Sequence, residues 1–174
     1  MLKNLNRYHK PSTIGEALDI LKNSEKVKIL AGGTSVAVNK NDDINVLVDI
    51  KGLGLNYIKK ENNEIKIGAT TTVNEMLDSE LIKQYCGGIV HKACYTVAST
   101  PLRNMITAGG NSTQVYRWSD LPLVFLTTGA SFEIKSGDGL EKTITAGEFF
   151  KKHPQYALKK TDILTEIKLP YNKG

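Results

Sequence analysis

Two glycine pairs constrain this chain more than any other feature. Gly32-Gly33 stands in Ala31-Gly32-Gly33-Thr34-Ser35, directly behind the apolar run Val27-Lys28-Ile29-Leu30, and Gly109-Gly110 stands in Thr107-Ala108-Gly109-Gly110-Asn111. A glycine pair after a buried strand lets the backbone approach another group with no Cβ in the way, and it reaches positive φ without strain. Successive amides then converge on an anion as a nest, and the hydroxyls of Thr34, Ser35 and Thr107 add donors. Two such loops together suit a pyrophosphate, which offers oxygens on two sides. Each loop alone reads equally well as an ordinary turn. Neither has the GxGxxG or GxxxxGK(S/T) spacing, which disfavours a standard Rossmann fingerprint or a P-loop.

The residues around the loops alternate between helix and strand signals. Thr13-Ile14-Gly15-Glu16 reads as a capping box, and Ile14, Ala17, Leu18 and Leu21 then share one helical face. Strands are expected at 27–31 and 45–50, with Thr34 to Val38 as a helix or a turn. Gly52 and Gly54 punctuate the chain, so a lobe boundary is expected near residues 52–56, dividing 1–55 from 56–174. In the second lobe 57–60 and 64–68 alternate as strands about an Asn62-Asn63 turn. Thr72-Val73-Asn74-Glu75 is another capping box. Ile89, Ala93, Tyr95 and Val97 suggest a helix that Pro101 should end. Strand, turn and strand follow over 131–145, then a short helix at 146–151 and a closing strand at 162–170.

Composition narrows the function. With 174 residues, 40% of them hydrophobic, the chain can bury a core. No apolar run approaches the roughly 20 residues of a membrane span, and Met1 to Asn6 lacks the apolar stretch of a signal peptide. A cytoplasmic protein off the membrane is expected. Cys86 and Cys94 match neither a CxxC pair nor a four-thiolate set, so no iron–sulfur centre or metal is expected in this chain. The net charge of +5 suits an anionic ligand. Its lysines are dispersed and not interleaved with aromatics, so nucleic acid is not the expected partner.

Three further positions have two readings each. Asp120, ahead of Leu121-Pro122, is a helix N-cap or an acceptor for sugar hydroxyls. Arg103 is a surface cation or a pin on backbone carbonyls. Tyr116 and Trp118 pack, or shield a flat ring.

Taken in order, these segments form a recognisable set: Ala31-Gly32-Gly33-Thr34-Ser35, Leu47-Val48-Asp49-Ile50, Ile67-Gly68-Ala69-Thr70-Thr71, Arg103-Asn104 with Thr107 to Asn111, Asp120-Leu121-Pro122 and Ile163 to Pro170. The chain resembles, over nearly its whole length, the FAD-binding medium subunit of molybdenum hydroxylases, the xanthine, carbon monoxide and nicotinate dehydrogenase group. The resemblance implies an α+β fold of the vanillyl-alcohol-oxidase-like (PCMH-type) class, two α/β lobes with a non-covalent, extended FAD between them. It further implies that Ile29, Leu30, Ala31, Gly32, Gly33, Thr34, Ser35 and Val36 wrap the pyrophosphate and ribityl chain. Thr107, Ala108, Gly109, Gly110 and Asn111 form the second phosphate and flavin-side loop. By the same resemblance Asp120 holds a hydroxyl, Val97 or Ala98 lies near the isoalloxazine, and Leu164 flanks the ring or the adenine.

The function so implied is electron relay. Substrate is oxidised at a molybdenum cofactor on a large subunit, electrons cross iron–sulfur clusters on a small subunit, and this flavin passes them to NAD or another acceptor. No catalytic acid, base or nucleophile is then required of the chain, since the cofactor carries the chemistry. A stand-alone FAD-dependent oxidase and a non-catalytic nucleotide-binding fragment are the two other readings of the same loops. Members of the family continue past the closing strand into a C-terminal domain of roughly a hundred residues, which a chain ending at Gly174 is expected to lack. Tyr116-Arg117-Trp118-Ser119 stands where many relatives have small residues, and Ala108 replaces a commoner isoleucine.

Overall fold

A computed structural model describes residues 4–38, 43–116 and 118–171. Three parallel strands, β1 (Arg7–His9), β2 (Val27–Leu30) and β3 (Val46–Asp49), form one sheet in the order β1-β3-β2. The central strand β3 is buried at all four positions, as expected of a parallel strand covered on both faces. Helix α1 (Ile14–Asn23) connects β1 to β2, and α2 (Thr34–Val38) begins directly after the first glycine pair. Ala17 and Leu21 of α1 pack on Val48 and Ile50. The Thr13 hydroxyl accepts from the Glu16 amide as expected, but the Glu16 carboxylate reaches one residue further back, to the amide and hydroxyl of Ser12. Strand β1 carries no periodic signal, being three residues with polar side chains, and sequence reading missed it.

Five antiparallel strands make the second sheet: β4 (Ile58–Glu61), β5 (Glu64–Gly68), β6 (Ser131–Ser136), β7 (Glu141–Thr145) and β8 (Asp162–Pro170), in the order β4-β5-β8-β6-β7. Asn62 and Asn63 both adopt positive φ at the β4–β5 turn, the conformation that a tight hairpin of this kind demands. Against this sheet lie α3 (Val73–Asp78), α4 (Glu80–Gln84), a 3-10 turn at Tyr85–Gly88, α5 (Ile89–Thr96), α6 (Thr100–Arg103), α7 (Ala108–Gln114), α8 (Leu121–Thr127), α9 (Ala146–Phe149) and α10 (Pro154–Ala157). Phe132 anchors the larger core, stacked on Phe149 at 4.4 Å and edge-on to Phe125 at 6.1 Å.

Thr72 opens α3 with a full capping box, its side chain accepting from the Glu75 amide while Glu75 reaches back to the Thr72 amide. Losing that cap in Thr72→Ala is expected to cost about 1 kcal/mol. A melting temperature lower by roughly 2–4 °C is the expected readout.

Two expectations are corrected. Pro101 does not close the helix before it: α5 ends at Thr96, and Pro101 sits in the first turn of α6, where its missing amide costs nothing. The second glycine pair is not a loop. It lies inside the first turns of α7, capped by the Thr107 side chain.

One element ties the two halves together. Along β8 successive side chains point to opposite faces, so Ile163 joins the small core with Ala17, Leu21, Val48 and Ile50, while its neighbour Leu164 joins the large one. At Thr165 the β6–β8 ladder shifts register between Glu133 and Ile134. The displaced Thr165 carbonyl accepts from the Ala69 amide at 2.9 Å, which carries the chain from β5 toward α7.

Candidate functional site

The first glycine pair leaves its amides free. Strand β2 ends at Leu30, whose carbonyl still accepts from Ile50 at 3.0 Å. Beyond it Gly33 takes φ 78° and turns the chain into α2. Among the described residues, the amides of Gly32, Gly33, Thr34, Ser35 and Val36 donate to no backbone or side-chain acceptor. Half-buried amides without partners are expensive, and at a helix start they carry partial positive charge. Amides so placed can receive an anion, at the carboxyl end of a parallel strand, where ligands of α/β sheets commonly bind.

The second glycine pair differs. Ala108 donates to the Thr71 carbonyl at 2.8 Å, Gly109 to Ala69 at 2.9 Å, Gly110 to the Thr107 hydroxyl at 3.1 Å and Asn111 to the Thr107 carbonyl at 2.8 Å. The four amides of 108–111 are spent on the protein, so they are not free to form the expected second phosphate nest. The glycines serve packing. A Cβ at Gly109 would lie 2.9 Å from both the Cβ and the carbonyl oxygen of Ala69, and one at Gly110 would press on the Thr107 hydroxyl at 2.9 Å.

Between the two runs a cleft of about 760 Å³ falls inside the roughly 300–1,000 Å³ range of ligand and cofactor sites. Of the expected site residues Ile29, Ala31 to Val36, Val97, Ala98, Thr107, Gly109, Gly110, Asn111 and Leu164 line it. Three do not. Leu30 packs beneath Gly33, 3.4 Å from where a Cβ would stand. Ala108 is wholly buried in the core. Asp120 makes no cap bond, its carboxylate accepting from the Thr96 hydroxyl at 2.7 Å.

Sequence reading missed other lining residues. Lys28 and Lys160 bring positive charge to the wall, Lys159 lines it with its ammonium paired to Asp138 at 3.0 Å, and Leu102 and Met105 bring apolar surface. Their only sequence signal is the Lys159-Lys160 pair ahead of the closing strand. Among the described residues the one carboxylate on the wall, Asp162, is engaged by the Ser136 hydroxyl at 2.7 Å, the Lys142 ammonium at 3.2 Å and the Lys159 amide at 3.0 Å. The site therefore offers amide and ammonium donors to an anion. Among the described residues no cluster of three His, Cys, Asp or Glu could hold a metal ion, and none of the described helices is long and apolar enough to cross a membrane.

A family model described as the FAD binding domain in molybdopterin dehydrogenase matches residues 3–172. The chain belongs to that family. Among curated relatives, the glyceraldehyde dehydrogenase medium chain of Sulfolobus acidocaldarius is 29% identical over 96% of this chain and 60% of its own length. The nicotinate dehydrogenase FAD-subunit of Eubacterium barkeri is 32% identical over 90% of this chain and 55% of its own. A solved structure of a Cu,Mo-CO dehydrogenase superposes with a TM-score of 0.89 at 27% identity, covering 99% of this chain and 62% of that one. This chain thus spans somewhat under two thirds of each of these three.

In this member of the molybdopterin dehydrogenase FAD-domain family, the cleft wall at Val97–Ala98 is held by Arg103. Its guanidinium donates to the carbonyls of Tyr95 at 3.3 Å, Val97 at 3.0 Å and Ala98 at 3.0 Å, and to the Thr100 hydroxyl at 2.8 Å. Of its two readings, Arg103 is the pin. Ala98 is forced to φ 45°, a region that a non-glycine residue enters at a cost. Four residues upstream, burial pushes the Cys94 thiol up to about 12, which leaves it a packing residue with no thiolate at neutral pH.

Proposed function

We propose that this chain is the flavin-holding component of a molybdenum-hydroxylase-type oxidoreductase, with FAD bound non-covalently in the cleft and its pyrophosphate on the amides of Gly32 to Val36. The observation that carries the reading is that run of unpartnered, half-buried amides opening on a cleft whose free charges are lysines. A dianionic pyrophosphate satisfies the orphan donors, and the helix start adds to the attraction. Lys28 and Lys160 supply further positive charge at the same wall. Gly32 and Gly33 keep side-chain atoms off the approach. Arg103, through Val97 and Ala98, shapes the opposite wall.

Bound FAD would supply the redox chemistry, taking electrons from iron–sulfur clusters on a small partner subunit and handing them to NAD or another acceptor, while a molybdenum cofactor on a large partner subunit oxidises the substrate. Membership of the family and the names of relatives such as the glyceraldehyde and nicotinate dehydrogenase subunits support that assignment. The cleft's single carboxylate is already tied to three donors, which favours relay over a self-sufficient oxidase needing its own acid–base group.

The purified chain, stripped of ligand and titrated with FAD, is expected to retain equimolar flavin through desalting, read from its absorbance near 450 nm. Inorganic pyrophosphate should compete, because it occupies the same amides. A chain that takes up no FAD overturns the cofactor assignment and leaves a non-catalytic fragment. Uptake of FAD without copurification of large and small subunits from the native host points instead to a stand-alone oxidase.

A further inference from the structure

The wall of the cleft carries one large flat side chain that the fold does not bury. Trp118, the chain's single tryptophan, is 75% exposed yet lines the cleft. Among the described residues its ring contact is Tyr116, at 5.1 Å between centroids and 4° between planes, which backs one face of an indole that stays 75% exposed. An indole held flat in water forgoes burial of one of the largest apolar surfaces available to a side chain, unless something else covers it.

The segment is held in that position by specific contacts. The Ser119 amide donates to the Tyr116 carbonyl at 2.9 Å, closing a turn around Trp118. The Ser119 hydroxyl donates to the Asn111 side chain at 2.5 Å, and the next residue, Asp120, accepts from Thr96 at 2.7 Å. Upstream, Val115 sits at φ 44°, ψ 64°, a conformation that a β-branched residue adopts only under constraint. Strain of this kind collects at sites that bind ligands. Here it ends α7 and redirects the chain so that the two rings line the same cleft as Asn111, Val97 and the amides of Gly32 to Val36.

From this arrangement we propose that Tyr116 and Trp118 form a two-ring platform, and that the flat ring system at one end of the bound dinucleotide stacks on the open face of Trp118. The proposal rests on the FAD reading above and adds a specificity-determining residue to it. A ligand anchored by its pyrophosphate on the first lobe presents a planar ring to each side. Offset stacking on an indole already backed by a second ring gives that ring apolar contact and excludes water from it.

The test compares wild type with Trp118→Ala and Trp118→Phe for binding of FAD, FMN and ADP to the ligand-free chain by titration calorimetry, with thermal midpoints of each unliganded variant. Because Trp118 lies outside the core, Trp118→Ala is expected to melt within a degree or so of wild type. Its FAD affinity should fall about tenfold or more, the order lost with one stacked aromatic ring. Trp118→Phe should recover most of the loss. A loss confined to FAD and FMN identifies the isoalloxazine as the stacked ring, and a loss confined to FAD and ADP identifies the adenine. Equal affinities of wild type and Trp118→Ala for all three ligands overturn the platform while leaving the FAD site intact. Failure of wild type itself to bind FAD overturns the cofactor assignment and the platform with it.

Discussion

Gly32→Val is expected to lower the melting temperature by roughly 6–12 °C and to reduce FAD affinity by about a hundredfold or more. The cause is a backbone-to-backbone contact between the turn at Gly32 and the segment at Met105. A Cβ built on Gly32 would lie 1.6 Å from the Met105 carbonyl oxygen and 2.6 Å from its carbon. Neither atom belongs to a flexible side chain, so one of the two segments must move well over an ångström to restore ordinary contact. Overpacking of this severity costs about 3 kcal/mol, which gives the stated shift for a chain of this size. The moving segment carries the unpartnered amides, and each hydrogen bond to a charged oxygen that is lost removes roughly 1.5–3 kcal/mol of binding. Two such losses account for the fall in affinity.

Gly33→Ala isolates the other half of the effect. Space for its Cβ exists, the nearest atom being Leu30 Cδ1 at 3.4 Å, but the φ of 78° remains. The penalty is the ordinary left-handed one of about 1–2 kcal/mol, with the Met105 contact untouched. If differential scanning fluorimetry finds Gly32→Val as stable as Gly33→Ala, the close approach to Met105 is not what Gly32 is for.

Adjacent glycines with identical local signatures turn out to do different work, and this marks where sequence reading stops. The alternation of helix and strand was legible because it is local. The helical face of Ile14, Ala17 and Leu21, the capping box at Thr72, the Asn62-Asn63 turn and the closing strand all follow from spacing within a few residues. Most of the cleft-lining set was also legible, through motif order. What was not legible depends on partners distant in sequence. The amides of 108–111 looked as free as those of 32–36 until the carbonyls of Ala69 and Thr71 were placed beside them. Asp120 turns toward Thr96, because Thr96, at the end of α5, presents its hydroxyl there. Lys28, Lys159 and Lys160 share a wall only because β8 joins both cores. Local chemistry thus pointed to both glycine pairs alike, and tertiary hydrogen bonding decided which pair keeps its amides free.

Arg103→Ala tests the opposite wall, and its two readouts should diverge in size. The guanidinium serves three carbonyls and one hydroxyl, and Val97, whose carbonyl is one of them, is buried. Removing the donors strands that acceptor at a cost of about 1–3 kcal/mol. Part of this is returned, because Ala98 is then free to leave φ 45°, relieving strain of a similar order, about 1–3 kcal/mol. The net destabilisation of the ligand-free chain is therefore modest, near 1 kcal/mol, or roughly 2–4 °C in melting temperature. Binding has no such relief. The ligand must now restore the strained Val97–Ala98 wall without the pin, so the full cost reappears in affinity as a loss of roughly thirtyfold or more. Arg103→Lys should not fully rescue it, since one ammonium cannot both serve the carbonyls that Nη1 reaches and replace the Nη2 bond to the Thr100 hydroxyl. Measured side by side, calorimetric affinity and thermal midpoint distinguish this from simple unfolding. A variant that loses stability heavily but binds FAD normally once folded would show that Arg103 supports the core and does not shape the cleft.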